Sequence, residues 1–182
     1  MTNNHDKDIF KEIPKNIIKI LENLNIKKFR PSQIKSIQAG LFKNNNNQII
    51  ATPTGSGKTL VAELAMLDTI INKKKKVIYI VPLKALASEK YRDFLENYKN
   101  EIKIKVSIGE IQNENYNFDY DLLIVTSEKL DSLIRHNTKF LNDIGLVISD
   151  EIHLLNDEKR GPTLEILLST SVLVYVIDCG AK

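Results

Sequence analysis

The sequence predicts an α/β domain, a parallel β-sheet with helices on both faces, and three observations predict it. Short apolar runs recur at residues 48–51, 77–81, 102–106, 122–125 and 146–149. Between several of them, residues 60–71, 85–98 and 129–136 carry apolar side chains at helical spacing. Strands apolar on both faces, alternating with helices, belong to a parallel sheet that is covered twice. The recognisable motifs also fall just after the strands, at the edge where such sheets bind their ligands.

The elements follow in order. Ile13, Ile17, Ile20, Leu21 and Leu24 form one helical stripe, with Pro14 suited to the start of a helix. Pro31 opens a second helix, running through Ile34, Ile37, Leu41 and Phe42. The asparagine run 44–47 reads as a polar loop. The strand–helix alternation then begins, and a last apolar run covers residues 172–177. Lysines 73–76 read as a solvated turn. The expected division is an N-terminal helical segment, 1–46, followed by the sheet domain, 47–182. No internal repeat is evident.

Composition narrows the class. With 42% hydrophobic and 27% charged residues over 182 positions, the chain is that of a soluble globular domain. No apolar run is long enough to span a bilayer, so no membrane partner is expected. The polar N-terminus, MTNNHDKDIF, carries no secretory signal. The single cysteine, Cys179, suits the reducing cytoplasm and excludes a disulfide, a zinc ribbon or an iron–sulfur cluster held within the chain. A net charge of +3 is compatible with a polyanionic partner without arguing for one.

The stretch ATPTGSGKT, residues 51–59, lies in the first strand-to-helix turn. Its segment Thr54, Gly55, Ser56, Gly57, Lys58 and Thr59 offers backbone N–H groups at a helix N-terminus, where the dipole favours negative charge. Lys58 would reach the β- and γ-phosphates of a nucleotide, and Thr59 would ligate Mg²⁺. Thr52 stands where the general phosphate-loop pattern has its first glycine. A P-loop needs a carboxylate on a neighbouring strand. Residues 146–149 run directly into Asp150, Glu151, Ile152 and His153. Asp150 would hold Mg²⁺ through its water shell, and Glu151 would polarise the attacking water. A trio of Lys58, Asp150 and Glu151 would split ATP rather than transfer its phosphate. His153, two residues on, reads as functional in this context; His5 and His136 read as surface or structural.

Taken together, these motifs resemble the superfamily 2 helicases, in the DExH branch related to Ski-type RNA helicases. Within it the chain is most similar to the archaeal Hjm-type DNA helicases, over residues 26–165. The resemblance implies a RecA-like P-loop fold. Residues 29–33, FRPSQ, resemble the Q motif, in which Gln33 would read the adenine edge while Phe29 stacks on the ring; the alternative is a simple helix start at Pro31. Residues 81–87, VPLKALA, look like motif Ia, and residues 126–130, TSEKL, like motif Ib. The resemblance implies nucleic-acid backbone contacts from Pro82, Lys84, Ala85, Thr126, Ser127, Glu128 and Lys129. Such contacts bind phosphate without reading sequence. Thr126 or Ser127 is equally placed to be an ordinary helix cap. Residues 160–165, RGPTLE, also match the Hjm-type pattern, with no chemistry assigned to them.

Where the family carries Ser-Ala-Thr, this chain reads Gly180-Ala181-Lys182, which a frameshifted or truncated tail explains as well as divergence does. The family's second RecA-like lobe and its arginine finger are also expected to lie outside these residues. The leading expectation is therefore the ATP-binding lobe of a helicase, a fragment or one half of a split gene. It would act on single-stranded or forked DNA, or on RNA, with a second lobe in cis or in trans. Two competing readings are a nucleotide-dependent binding module without turnover and a P-loop ATPase indifferent to nucleic acid.

Overall fold

The computed structural model describes residues 9–43, 47–53, 55–108, 119–136, 138–150 and 173–178. Helix α1 covers Lys15–Asn23, with Pro14 at its N-cap position. Its apolar stripe buries Ile17, Ile20 and Leu21, as the spacing requires. Helix α2 covers Pro31–Gln38. It stops short of the expected Leu41 and Phe42 because Gly40 adopts φ +96°. The Gly40 N–H then bonds Ile37 O at 3.0 Å and the Leu41 N–H bonds Ser36 O at 3.3 Å, the closing pair of a Schellman motif. Leu41 remains in the core after the helix has ended.

Strand β1 spans Gln48–Ala51, and α3 follows at Lys58–Leu67. A π-helical turn, Asp68–Asn72, extends α3 and leads to β2, Lys76–Val81. Helix α4 is Lys84–Tyr98, β3 is Ile104–Ser107 and β4 is Leu122–Thr126. Helix α5 is Ser127–His136; a short 3₁₀ helix, Thr138–Asp143, precedes β5, Ile144–Asp150. Strand β6 is Leu173–Asp178. The third strand starts two residues later than expected, because Ile102 is held in the turn after α4 by its N–H to Tyr98 O, 3.1 Å. Lys73, Lys74 and Lys75 are exposed as a turn should be, whereas Lys76 begins β2 and sits 4.8 Å over the Tyr120 ring.

All pairings among these strands are parallel, in the order β1-β6-β5-β2-β4-β3. Alternation divides each central strand between two cores. Val77, Tyr79, Val81, Leu122, Ile124, Leu146 and Ile148 pack with α3 and α4. Ile78, Ile80, Leu123, Val125 and Val147 pack with Leu130 and Leu133 of α5. The sheet is thus covered on both faces. The N-terminal residues Ile17, Leu21, Phe29, Ile37 and Leu41 share the first cluster with Val61 and Leu64 of α3.

Candidate nucleotide and nucleic-acid site

The C-terminal edge of the sheet, and the loops and helix starts that leave it, hold most of the expected site residues that are described. In register, Ala51 lies beside Asp178, and Asp150 beside Ile177. The ends of β1 and β5 are therefore two strand spacings apart, about 10 Å. On the other side of β5, Val81 and Thr126 are direct partners, so residues 82–85 and 126–129 leave the sheet next to each other. Thr54, Glu151, His153 and the 160–165 segment lie outside the described residues.

The turn after β1 is shaped by two glycines, Gly55 at φ +77° and Gly57 at φ +85°. Gly57 is the N-cap residue of α3, so the loop turns directly into a helix N-terminus. A Cβ on Gly57 would overlap the Gln33 side-chain nitrogen and lie 3.1 Å from Arg30 Cδ. Lys58 is only 4% exposed, with its Nζ donating to Thr52 O within the same loop. Thr52 and Ser56 pair their hydroxyls at 2.7 Å. Thr59 lies in the first turn of α3.

Residues 30–33 brace this loop from outside. Gln33 Nε2 donates to Gly57 O at 2.9 Å, and its Oε1 accepts from the Arg30 N–H at 2.7 Å. Ser32 Oγ donates to Ser56 O at 3.2 Å, and Arg30 Nη1 donates to Gly55 O. Each group of a primary amide has capacity for two hydrogen bonds, so Gln33 keeps one donor and one acceptor position beyond these. Phe29 is 8% exposed and its ring lies 5.0 Å from that of Phe10, inside the core cluster. Arg30 and Ser32 were not among the expected site residues; their partners are backbone carbonyls, which sequence does not reveal.

Asp150 ends β5 as a buried carboxylate. Tyr79 Oη donates to its Oδ2 at 2.7 Å, and Lys90 Nζ lies 3.8 Å from the same oxygen. Neither partner was expected, though a tyrosine inside the strand VIYIV is a signal in itself, since a buried phenol needs an acceptor. A second polar link joins α4 to α3. Tyr98 Oη donates to Glu63 Oε2 at 2.7 Å. Burial pushes the Glu63 carboxyl above its ordinary range, outweighing the Tyr98 hydrogen bond and the Lys90 charge, which draw it down. Burial, and next the Glu63 charge, raise the Tyr98 phenol as well.

At the β2–β4 end, Pro82 is buried while Leu83, Lys84 and Ala85 are exposed around the N-terminus of α4. Thr126 Oγ1 accepts the Lys129 N–H at 3.4 Å, a long helix-capping bond. Glu128 is exposed and Lys129 is buried. The hydroxyls of Ser107, Ser127 and Ser149 are buried with no hydrogen-bond partner among the described residues. All three lie at the C-terminal ends of strands or the start of the helix that follows.

This donor set fits a nucleoside triphosphate with a divalent cation: a glycine nest opening onto a helix N-terminus, a lysine in the loop, and a buried carboxylate across the sheet edge. No group of three or more His, Cys, Asp or Glu residues among the described residues forms a cage that would hold a metal alone. The described residues also contain no helix long and apolar enough to cross a membrane.

Comparison with known proteins completes the description. The sequence model of the DEAD/DEAH box helicase family matches residues 30–174. The ATP-dependent DNA helicase Hel308 of Methanocaldococcus jannaschii is 48% identical over 159 residues, covering 84% of this chain and 13% of that protein. Its namesake in Methanococcus vannielii is 43% identical over 160 residues, covering 85% and 21%. The chain therefore spans about a fifth or less of these relatives. Among solved structures, Mycobacterium smegmatis helicase Lhr bound to ssDNA and AMP-PNP superposes with a TM-score of 0.76 at 23% identity, over 96% of this chain and 26% of that one. S. cerevisiae Dbp5 bound to RNA and ADP BeF3 gives 0.77 at 18% identity, over 93% and 45%. At those identities the likeness is one of fold, and it is RecA-like.

Proposed function

The chain belongs to the DEAD/DEAH box helicase family, and from that premise we propose that it is the ATP-binding lobe of a nucleic-acid helicase. The observation that carries the reading is that Lys58, at the start of the helix reached by the loop after β1, and Asp150, at the end of β5, stand at one edge of the sheet. ATP and Mg²⁺ are the ligands this pair fits. The N–H groups of residues 55–59 and Lys58 would hold the phosphates, and Gln33 would use its remaining donor and acceptor on the base. Thr59 and Asp150 would hold Mg²⁺, which neutralises phosphate charge during hydrolysis. Glu151 would take the proton of the attacking water, with His153 beside it. The base-stacking role proposed for Phe29 has less support than that of Gln33, since its ring is buried.

The nucleic-acid strand would run along the adjacent ends of β2 and β4. Lys84 and the exposed N-terminus of α4 offer phosphate contacts there. DNA is favoured over RNA because the relatives at 48% and 43% identity are named as DNA helicases, whereas the RNA-bound neighbour is 18% identical. Translocation and unwinding would need a second RecA-like lobe, in cis or in trans, to close over the nucleotide.

The test is ATP binding and turnover by the 182-residue chain, alone and with single-stranded DNA or RNA, with Glu151→Gln as control. Tight binding that depends on Lys58, with little hydrolysis, supports a lobe that needs its partner. Turnover stimulated by DNA and lost in Glu151→Gln supports a lobe that is catalytic by itself. Substantial turnover that neither nucleic acid changes would sink the helicase reading, and no binding would sink the nucleotide site.

A further inference from the structure

We propose that Tyr79 is a positioning residue that selects which oxygen of Asp150 faces the metal; this rests on the reading of Asp150 as a Mg²⁺-holding carboxylate. Tyr79 is fully buried in the middle of β2. Its register partner on β5 is Ile148, two residues before Asp150. Residues two apart on a strand share a face, so the phenol reaches the carboxylate diagonally along the sheet. A phenylalanine would fill the same space and keep the edge-to-face contact with Phe94, 5.3 Å between centroids. What the hydroxyl adds is the 2.7 Å bond to Oδ2.

Lys90 approaches the same oxygen from α4, at 3.8 Å. With a hydroxyl and a cation both on Oδ2, rotation of the carboxyl group is opposed, and Oδ1 is the oxygen left for the metal's water shell. The two contacts act differently. Tyr79 is neutral and directs the carboxylate; Lys90 carries a charge that it shares with Glu63, whose carboxyl it draws down, and that charge repels any metal nearby. Hydrogen-bonding partners behind a metal-holding carboxylate change metal affinity by about 10–100-fold when removed.

The experiment measures the Mg²⁺ concentration that half-saturates binding of a fluorescent ATP analogue, for the wild-type chain, Tyr79→Phe and Lys90→Met, with thermal unfolding followed in parallel. Tyr79→Phe is expected to raise that concentration about tenfold while leaving Mg²⁺-free binding unchanged. Lys90→Met is expected to leave it unchanged or lower it. Generic loosening of the site would move both variants upward together, and that result would overturn the proposal even if Tyr79→Phe were recovered poorly folded. An unchanged Mg²⁺ requirement in folded Tyr79→Phe would also overturn it. If the wild-type chain binds nucleotide with no dependence on Mg²⁺, the metal reading of Asp150 fails and this inference fails with it.

Discussion

The two ends of the sheet's C-terminal edge are built differently. At the β1 end the glycine-rich loop is held by groups distant in sequence: Arg30, Ser32 and Gln33 all donate to carbonyls of residues 55–57. At the β2–β4 end the helix starts are arranged locally. Thr126 caps its own helix three residues on, and Leu83, 56% exposed, precedes α4 without a side-chain cap. The first end is a braced cradle, and the second pairs an exposed helix start at α4 with one at α5 where only Glu128 is exposed. A cradle for a small, highly charged ligand must hold many donors in fixed directions, so it draws on tertiary contacts. A surface that follows a polymer backbone needs only exposed N–H groups and short side chains.

The largest disturbance of this contrast is expected from Gly57→Ala. A side chain at φ +85° is strained and would overlap the Gln33 amide, so the change strikes loop and brace together. It should lower stability by about 1–3 kcal/mol and weaken nucleotide binding, read by urea denaturation and nucleotide titration. A wild-type urea midpoint would mean that the brace is not closely fitted. Thr126→Ala, at the other end, is expected to lose about 1 kcal/mol with nucleotide affinity unchanged. A fall in nucleotide affinity would show that the two ends are not separable.

The smallest effect sharpens the link between α3 and α4. Burial raises the Glu63 pKa, so the folded chain holds that proton more tightly than the unfolded chain does. The stability associated with the proton is present in acid and is lost as pH rises through the folded pKa. Glu63→Gln keeps an acceptor for Tyr98 and removes the buried charge. It should therefore be at least as stable as wild type at pH 7, with its advantage shrinking toward about pH 4. Urea midpoints across that range check the sign. An advantage that grows in acid would show that Lys90 and Tyr98, rather than burial, control the carboxyl.

By itself the sequence determined the class of fold and the glycine-rich turn that leads from β1 into α3. Alternating apolar runs dictate a doubly covered parallel sheet, and Gly55, Gly57 and Lys58 state their chemistry through backbone freedom and charge. Helix and strand positions were legible because periodicity is a local property. Their ends were less so, as at Gly40, where one left-handed residue stopped α2 early. Local reading also left Thr126 open between cap and phosphate contact; the structure shows its hydroxyl oxygen accepting the Lys129 N–H as a cap. The tertiary structure alone decided the strand order, which brings β6 between β1 and β5 and sets Val81 beside Thr126. It alone decided that Gln33 braces Gly57 and that Tyr79 reaches Asp150, 71 residues away. Those pairings depend on which strands are neighbours and on which carbonyls face inward. Local patterning specifies neither, because both follow from how the covered sheet closes its core.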